Sequence, residues 1–483
     1  MHEGRISIVF DCGATNVKVH AINEKGEIIK SQSYPNNTRP DPYYPEYRIW
    51  DVDEIWDTFC RASRKVTAAV PLSNIIGVSV TTFGVDGALF NMEGEMLYPM
   101  ISWQCERTTA VMKDIGKYIP LEELYRESAL LPFNFNTINK LIWLRENQAD
   151  LLEKAHRWLF APSIFTWMLS GEMKNDITMA GTSMLTSASK RNLSQLILNS
   201  INIDPGLFGK LAEAGEIIGH VNARAANLTG LPEGIPVVAS GHDTQFAVFG
   251  SGAGVNQPVL SSGTWEILMV RSRKYRSDKE QLDNGISTEL DPLPGLYNIG
   301  NQWIASGMLE WAGRNMFPEC GEELHDKMIS MAEKVPPGSK GVRIIPAFFE
   351  ESGEQGGGQI KGLSMESTRE EIYRAMLESL SLRLREGMMA LEKAGGFTTN
   401  NILCVGGGSK NRLWNQLRAD ITGVPVNVID KKETTVLGAA MFIMYAAGLA
   451  SSPDEAREMI PFRREVFEPG ENTMIYKDLF PNE

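Results

Sequence analysis

Two patterns of hydrophobic and polar positions in this chain share one layout. Residues 6–10 and 17–22 are short β-rich runs separated by the polar segment DCGATN, and the layout returns at residues 259–270 around the segment SSGT. Each pattern predicts a β-hairpin with a glycine-containing turn. The turn glycines Gly13 and Gly263 are 250 residues apart, which exceeds the period of a solenoid repeat. We therefore predict two related domains, with a chance likeness of two hairpins as the alternative.

Strand and helix patterns alternate through the rest of the chain. Residues 75–80 and 235–239 are apolar runs of strand length, each followed by a polar turn with glycine, which is typical of buried strands. In the second half, Ser367 and Glu370 match a capping box, and apolar residues at helical spacing follow until a glycine pair. We predict a mixed α/β fold, and a mobile glycine-rich loop at residues 350–362 before the long helix.

Acidic residues outnumber basic ones, with 60 Asp and Glu against 47 Lys and Arg and a formal net charge of −13. Binders of nucleic acid or anionic membranes need a basic face, so this balance favours small-molecule chemistry. The longest apolar stretch, near residues 439–450, is too short to span a bilayer, and the first residues lack a signal-peptide pattern. We therefore expect neither nucleic acid nor a membrane as a partner.

The five cysteines are scattered, and no CxxC pair occurs. An odd number at wide spacing favours reduced thiols over a disulfide framework or a zinc site. We therefore expect a cytoplasmic protein. The cysteines are Cys12, Cys60, Cys105, Cys320 and Cys404.

The first hairpin turn carries groups suited to a phosphate. Gly13 allows the backbone to approach a ligand, Thr15 and Asn16 can donate hydrogen bonds, and Lys18 adds positive charge. Asp11, at the strand end, is suited to a hydrated Mg²⁺, which needs few carboxylates. The alternative is a tight hairpin turn with a solvated aspartate.

A second set of small residues lies in the other half. Gly263 and Thr264 repeat the turn chemistry, and a triple-glycine segment at residues 406–408 lies between a strand pattern and an amphipathic helix. Such a turn lets a ring or phosphate lie against the backbone at a helix start. No Walker loop occurs. A compact turn between strand and helix is the alternative, and the helix glycine Gly438 predicts close helix packing.

Polar side chains follow two of the predicted buried strands. Asp243 comes after residues 235–239, where a carboxylate can accept a proton from a substrate hydroxyl as general base. A helix N-cap is the alternative for Asp243. Asp86 follows residues 75–80 and offers an acceptor for polyol hydroxyls. Trp103, downstream, is suited to the C–H face of a sugar, or else belongs to the core.

These residues resemble the FGGY carbohydrate kinases along the whole chain, from DCGATN through GGGSKN to ETTVLGAA. Two long family patterns occur, at residues 135–147 and 358–378. The resemblance implies two actin-like, ribonuclease-H-like domains with a catalytic cleft between them. It places the sugar site, first phosphate loop and catalytic base in residues 1–250, and the second phosphate loop and adenosine site in residues 251–483.

The resemblance also implies a role for individual residues. Asp243 corresponds to the general base and Asp11 to the metal-associated aspartate. Many members have Asp where this chain has Cys105, so the hydroxyl pattern of the substrate is expected to be read differently here. The remaining implied residues are Thr15, Asn16 and Lys18 in the first phosphate loop, Gly263 and Thr264 in the second, Gly307, Gly407, Gly408 and Asn411 on the adenosine side, and Gly84, Asp86, Trp103 and Gln245 on the sugar side.

The implied reaction is phosphoryl transfer from ATP, with Mg²⁺, to the C1 hydroxyl of a ketose. Stretches such as DITMAGTS, GHDTQFA and LSSGTWEILMVRS are most similar to the branch that acts on L-fuculose, which implies L-fuculose 1-phosphate as product. L-rhamnulose or another ketose or pentulose is the alternative within the family. A non-enzymatic actin-like nucleotide sensor is the alternative outside it. The oligomeric state is left open, a homo-oligomer included.

Overall fold

The computed structural model describes residues 4–319, 324–347 and 357–481. They form two compact units, each built from separate stretches of chain. Unit 1 consists of Met1–Gly252, Arg276–Asn298 and Glu433–Pro461, and unit 2 of Ala253–Tyr275, Ile299–Lys432 and Phe462–Glu483. The first junction lies beside residue 250, and two segments from beyond it belong to unit 1.

Strands and helices alternate in both units, as the α/β expectation requires. The strands of the described residues are β1 (Ile6–Cys12), β2 (Asn16–Asn23), β3 (Ile28–Pro35), β4 (Arg39–Pro40), β5 (Arg48–Trp50), β6 (Ile75–Thr82), β7 (Gly87–Phe90), β8 (Met100–Ile101), β9 (Arg157–Phe160), β10 (Asn175–Asp176), β11 (Thr186–Ser187), β12 (Asn192–Leu193), β13 (Leu211–Ala212), β14 (Ile217–His220), β15 (Pro236–Val238), β16 (Pro258–Ser262), β17 (Trp265–Ser272), β18 (Ser287–Leu290), β19 (Tyr297–Ile304), β20 (Arg343–Ile345), β21 (Gln359–Lys361), β22 (Ile402–Val405), β23 (Val426–Ile429) and β24 (Arg464–Phe467).

The α-helices of the same residues are α1 (Val52–Thr67), α2 (Thr109–Lys113), α3 (Leu121–Ser128), α4 (Thr137–Asn147), α5 (Ala149–Lys154), α6 (Ala161–Ser170), α7 (Ile177–Thr182), α8 (Gln195–Ser200), α9 (Ala223–Thr229), α10 (Asp243–Gly250), α11 (Lys279–Asp283), α12 (Ser306–Met316), α13 (Leu324–Ala332), α14 (Arg369–Gly395), α15 (Arg412–Thr422), α16 (Thr434–Ala446), α17 (Pro453–Glu458) and α18 (Asn472–Leu479).

The central sheet of unit 1 has the strand order β14-β15-β6-β1-β2-β3. β1 and β2 form the predicted antiparallel hairpin, with Asp11 opposite Lys18. The predicted buried strands are β6 and β15. β6 runs parallel to β1, and β15 runs parallel to β6. Because the carboxyl ends of parallel strands meet at one edge of a sheet, the polar residues after β1, β6 and β15 come together there.

Helix α16 completes the core of unit 1. It contacts α10, β1 and β6, and its residues from Val436 to Met444 are buried. A Cβ at Gly438 would lie 2.1 Å from the carbonyl oxygen of Phe246 in α10, and one at Gly250 would lie 2.0 Å from that of Thr434. Only glycine allows the two backbones to come this close, which confirms the predicted close packing at Gly438.

Unit 2 repeats the hairpin arrangement. Strands β19, β17, β16, β22, β23 and β24 lie side by side in that order. β16 and β17 form the second predicted antiparallel hairpin, and β22 runs parallel to β16. β16 is therefore antiparallel to β17 and parallel to β22, just as β1 is antiparallel to β2 and parallel to β6.

The long helix α14 starts one residue later than predicted. Its capping box consists of Thr368 and Glu371, and the predicted pair of Ser367 and Glu370 is wrong. Both pairs have the right residue types and spacing, but the Ser367 side chain instead accepts a hydrogen bond from the Ser364 backbone at 2.9 Å. The helix ends at the glycine pair as expected, with Gly395 as its last residue and Gly396 as the C-cap at a φ of +65°.

Residues 350–356 of the predicted mobile loop lie outside the described residues. Of the remainder, Gln359–Lys361 forms strand β21, which pairs with β20 and so does not fit a loop. Cys12, Cys60, Cys105 and Cys404 are buried free thiols, and Cys320 lies outside the described residues. Within the described part of the chain, every helix is too short or too polar to cross a bilayer.

Candidate functional site

Asp243 lies at the sheet edge where β15 ends. It is the first residue of α10, and the N-cap position belongs to His242. Its carboxylate Oδ1 accepts hydrogen bonds from the Thr244 backbone nitrogen at 2.6 Å and the Thr244 hydroxyl at 3.2 Å. The side chain is 31% exposed. Asp243 is therefore held in place by its neighbour while its carboxylate stays open to a ligand.

The turn before Asp243 packs against the start of helix α7. A Cβ at Gly241 would lie 2.0 Å from Asp176 Oδ1, so only glycine fits there. The His242 backbone nitrogen donates to Thr178 Oγ1 at 3.0 Å, and Asp176 caps the same helix through the Thr178 and Met179 backbone nitrogens. These contacts fix the direction in which the chain enters α10.

Asp11 lies at the same edge, near the end of β1. Thr81 Oγ1 donates to its Oδ1 at 2.9 Å. Burial and then the negative charge of Asp243 raise the pKa of Asp11 to about 7. Burial also raises the pKa of Asp243, and the charge of His242 opposes this rise. The two carboxylates thus lie near enough for their negative charges to repel.

Such a pair is suited to a divalent cation, because a positive charge relieves the repulsion between the carboxylates. No group of three or more His, Cys, Asp or Glu side chains suited to a metal occurs among the described residues. The chemistry of Asp11 fits Mg²⁺, because that ion keeps most of its waters and needs few carboxylates.

The first predicted phosphate turn joins β1 to β2. The Gly13 backbone nitrogen donates to the Asn16 carbonyl at 2.9 Å, and the Asn36 side chain donates to the Gly13 carbonyl at 2.9 Å. Asn16 Nδ2 donates to Thr15 Oγ1 at 3.1 Å, and Thr15 is exposed. The turn is thus held by hydrogen bonds, and Thr15 is open to solvent.

Lys18 has a partner that the sequence analysis missed. Its Nζ lies 3.3 and 3.2 Å from the two carboxylate oxygens of Glu433, the residue that precedes α16. Both side chains are partly exposed. Glu433 is 415 residues from Lys18 in the chain, so no local pattern indicated the pair.

The turn after β6 is strained. Val85, between Gly84 and Asp86, has φ of +63°, which is costly for a β-branched residue. Its carbonyl accepts hydrogen bonds from Thr137 Oγ1 at 2.7 Å and Lys140 Nζ at 3.1 Å. Helix α4, which lies within the family pattern at residues 135–147, therefore holds this turn.

Asp86 lies beneath Trp103. Its Oδ1 accepts from Lys140, and its Oδ2 accepts from Trp50 Nε1 at 2.8 Å and from the Trp103 backbone nitrogen at 3.0 Å. The Asp86 side chain is fully buried. The structure thus gives Asp86 a supporting position, and contact with a sugar hydroxyl stays a prediction.

Trp103 is more accessible than Asp86. The ring is partly exposed and packs edge-on against Phe135 at 6.3 Å. Its indole nitrogen is buried without a hydrogen-bond partner among the described residues. Cys105, two residues later, is buried and accepts from Arg107 Nε at 3.1 Å. The thiol is thus bonded within the protein.

The predicted residues of unit 2 also lie close together. The Gly263 backbone nitrogen donates to the Trp265 carbonyl at 3.0 Å, and the first turn of α12 donates back from Ser306 to Gly263 at 3.1 Å and from Gly307 to Thr264 at 3.3 Å. Thr264 is exposed. Gly307, Gly263 and Thr264 therefore form one continuous backbone surface.

The triple-glycine segment packs on the same turn. A Cβ at Gly408 would lie 2.1 Å from Ser262 Oγ, while one at Gly407 would meet no heavy atom within 4 Å. Asn411 accepts from the Trp414 backbone nitrogen at 3.0 Å and so caps α15. The open backbone at Gly407 next to a helix start is suited to a ring or phosphate.

A buried ion pair beneath these turns was missed. Arg418 and Glu266 are both fully buried. Arg418 donates to Ser262 Oγ at 2.7 Å, and Glu266 accepts from Trp303 Nε1 at 2.9 Å. A charged residue within the apolar run of β17 was the signal that could have indicated it. The pair fixes the turn from inside.

Two family models match this chain. The model of the N-terminal domain of the FGGY family of carbohydrate kinases matches residues 6–250, and that of the C-terminal domain matches residues 259–447. The chain belongs to the FGGY family of carbohydrate kinases. The resemblance inferred from the sequence is thereby confirmed, as is the α/β fold class of two actin-like, ribonuclease-H-like domains.

Two relatives of this FGGY kinase are similar over nearly their whole length. It is 45% identical to L-fuculokinase of Escherichia coli K12, over 96% of this chain and 97% of that one. It is 40% identical to L-fuculokinase of Haemophilus influenzae, over 96% and 99%. Among solved structures, xylulose kinase from Rhodospirillum rubrum has the same fold, with a TM-score of 0.91 at 22% identity over 99% and 97% of the two chains.

Proposed function

We propose that this FGGY kinase transfers the γ-phosphoryl group of ATP to the C1 hydroxyl of L-fuculose and releases L-fuculose 1-phosphate and ADP. The observation that carries the proposal is the identity of 40–45% to L-fuculokinases over nearly the full length of each chain. The partly exposed carboxylate of Asp243 at the sheet edge supports it, because the reaction requires a base there.

The chemical step forms one bond and breaks one. The C1 oxygen attacks the γ-phosphorus, the bond from that phosphorus to the β,γ-bridging oxygen breaks, and ADP leaves. We assign Asp243 as the group that accepts the C1 proton. Burial raises the pKa of Asp243, which makes the carboxylate a stronger base than a solvated aspartate. General-base catalysis contributes about 10²- to 10⁴-fold.

We assign Asp11 as the carboxylate that would hold Mg²⁺ through its water shell. When bound, that ion neutralises charge on the phosphate oxygens. Thr15, Asn16 and Lys18 bind the phosphates in this proposal, and Lys18 exchanges Glu433 for a phosphate oxygen. In unit 2, the turns of Gly263, Thr264, Gly307, Gly407, Gly408 and Asn411 bind the nucleotide.

On the sugar side, we propose that the exposed part of Trp103 contacts the C–H face of the ketose. We propose that Gly84 lines the sugar site next to Trp103. Asp86 and Gln245 support these positions from the interior. The buried free thiols support a reducing compartment, and we propose the cytoplasm.

A coupled ADP-release assay across several ketoses tests this function. We expect L-fuculose to give the highest kcat/KM among L-fuculose, L-rhamnulose, D-ribulose and L-xylulose, because specificity is a ratio of these values. A clear preference for L-rhamnulose would replace the substrate. If none of the ketoses stimulates ADP release, a nucleotide sensor becomes the better description.

The Asp243→Asn variant tests the assigned base. We expect a loss of kcat of at least about 100-fold, because the carboxamide cannot accept the proton. ATP affinity, measured by calorimetry, is expected to change little. The matched control is Asp57→Asn, which removes an exposed carboxylate from α1 of the same unit. Near-normal turnover in Asp243→Asn would refute the assignment.

A further inference from the structure

His242, which precedes the proposed base, is enclosed by three groups. Its Nδ1 lies 3.0 Å from Glu289 Oε2, and its Nε2 lies 3.5 Å from Asp243 Oδ1. A Cβ on Gly84 would lie only 2.7 Å from the same Nε2. The imidazole is thus confined between the sugar-side turn, the base and Glu289.

Glu289 also fixes a second side chain. Its Oε2 accepts a hydrogen bond from Gln245 Nε2 at 2.5 Å. The other end of that amide, Gln245 Oε1, accepts from Asn298 Nδ2. Gln245 is fully buried, so both ends of its amide are committed to protein groups.

The shared acceptor indicates a proton on the His242 nitrogen that faces it. Glu289 Oε2 is a carboxylate oxygen and can only accept, so the His242 nitrogen that faces it must carry a proton. Gln245 Nε2 is itself a donor and lies 3.5 Å from the same His242 nitrogen, so it does not compete as an acceptor. The Nε2 edge is therefore the one presented to Asp243 and Gly84.

We propose that Glu289 is a positioning residue for ketose recognition, which it serves by holding the His242 ring beside the base and by fixing the Gln245 amide. The proposal rests on the proposed function, because it concerns the same site. Glu289 belongs to strand β18 in the segment Arg276–Asn298, which joins unit 1 from beyond residue 252. This segment is thus a specificity element of unit 1.

Two substitutions separate position from charge. Glu289→Ala removes both hydrogen bonds, whereas Glu289→Gln keeps an oxygen that can accept them. We expect Glu289→Ala to lower kcat/KM for L-fuculose by about 10- to 100-fold, the range for hydrogen bonds to a charged group. KM for ATP is expected to stay within about two-fold of the wild type. Glu289→Gln is expected to recover much of the lost kcat/KM.

The control is Asp283→Asn, which changes an exposed carboxylate on the same segment.

A second measurement does not depend on activity. In ¹⁵N-histidine-labelled full-length protein, the His242 signals are assigned from the His242→Gln variant. Wild-type His242 should carry its proton on Nδ1 when neutral. Glu289→Ala removes the acceptor that faces Nδ1, so the share of the neutral ring with its proton on Nδ1 should fall in that variant.

The outcomes separate the two proposals. If the wild type phosphorylates none of the ketoses, the proposed function fails, and the histidine signals still report whether Glu289 fixes the ring. If Glu289→Ala changes the parameters for ATP and ketose equally, or changes neither, the positioning role is overturned. Unchanged His242 signals in Glu289→Ala also overturn it. Should Glu289→Ala not fold, the wild-type signals decide, because a neutral His242 ring with its proton on Nε2 would overturn the role.

Discussion

His20 is an unusual residue in the core of unit 1. It lies on β2, is only 2% exposed, and neither of its ring nitrogens has a hydrogen-bond partner among the described residues. Burial lowers the pKa of His20 to about 4, with Glu433 opposing the change and Lys18 adding to it. The neutral ring is therefore part of the folded state.

This pKa gives stability a defined dependence on pH. The ordinary pKa is 6.5, so the unfolded chain takes up the proton first as the pH falls. Stability is fully present above about pH 6.5 and is lost progressively towards pH 4, by up to about 3 kcal/mol. We expect the melting temperature of the wild type to fall more between pH 7 and pH 5 than the melting temperature of His20→Leu. His220→Leu, at an exposed position, should behave like the wild type, and parallel pH profiles for all three proteins would contradict the prediction.

Helices α10 and α16 cross with their backbones in close contact. Gly438→Ala places a methyl group 2.1 Å from the Phe246 carbonyl oxygen, which neither backbone can avoid without moving. We expect the free energy of unfolding to fall by about 1–3 kcal/mol, the usual range for overpacking. Urea unfolding followed by circular dichroism measures it.

The control is Gly116→Ala, because a Cβ there would meet no heavy atom within 4 Å. An unstrained glycine replaced by alanine stabilises a chain slightly through its unfolded state. Equal urea midpoints for both variants would show that the two helices can separate without cost.

Elements were predictable where the pattern is local. The hairpins and β6 follow from runs of apolar residues that end in polar turns, and these signals need no distant partner. The start of α14 was missed by one residue because Ser367 and Thr368 both precede a glutamate at the right spacing, and only the Ser364 contact decides between them.

The site was predictable in part for the same reason. Asp11, Gly13 and Asp243 stand where strands end, which the sequence indicates. Glu289 and Glu433 approach the same edge from distant segments, and their positions depend on how the chain returns. Sequence spacing carries no information on such contacts.

At the scale of the whole molecule, unit 1 is assembled from three stretches of chain. We expect a fragment of residues 1–252 to lack fixed packing, because β1, β6 and α10 lose the apolar cover of α16. Near-ultraviolet circular dichroism and dye binding by exposed apolar surface measure this. Co-expression with residues 433–461 is the control. It should increase the near-ultraviolet signal and reduce dye binding. A fragment that unfolds cooperatively by itself would show that α16 is dispensable.

The late position of α16 matters during translation. Unit 1 begins to emerge from the ribosome first, yet its last piece follows Gly252 by about 180 residues. At about 5–20 residues per second, the sheet waits roughly 10 to 40 s for that piece. During this interval the nascent chain exposes the apolar face that α16 will cover, so chaperone engagement should be strongest in the window between synthesis of α10 and synthesis of α16.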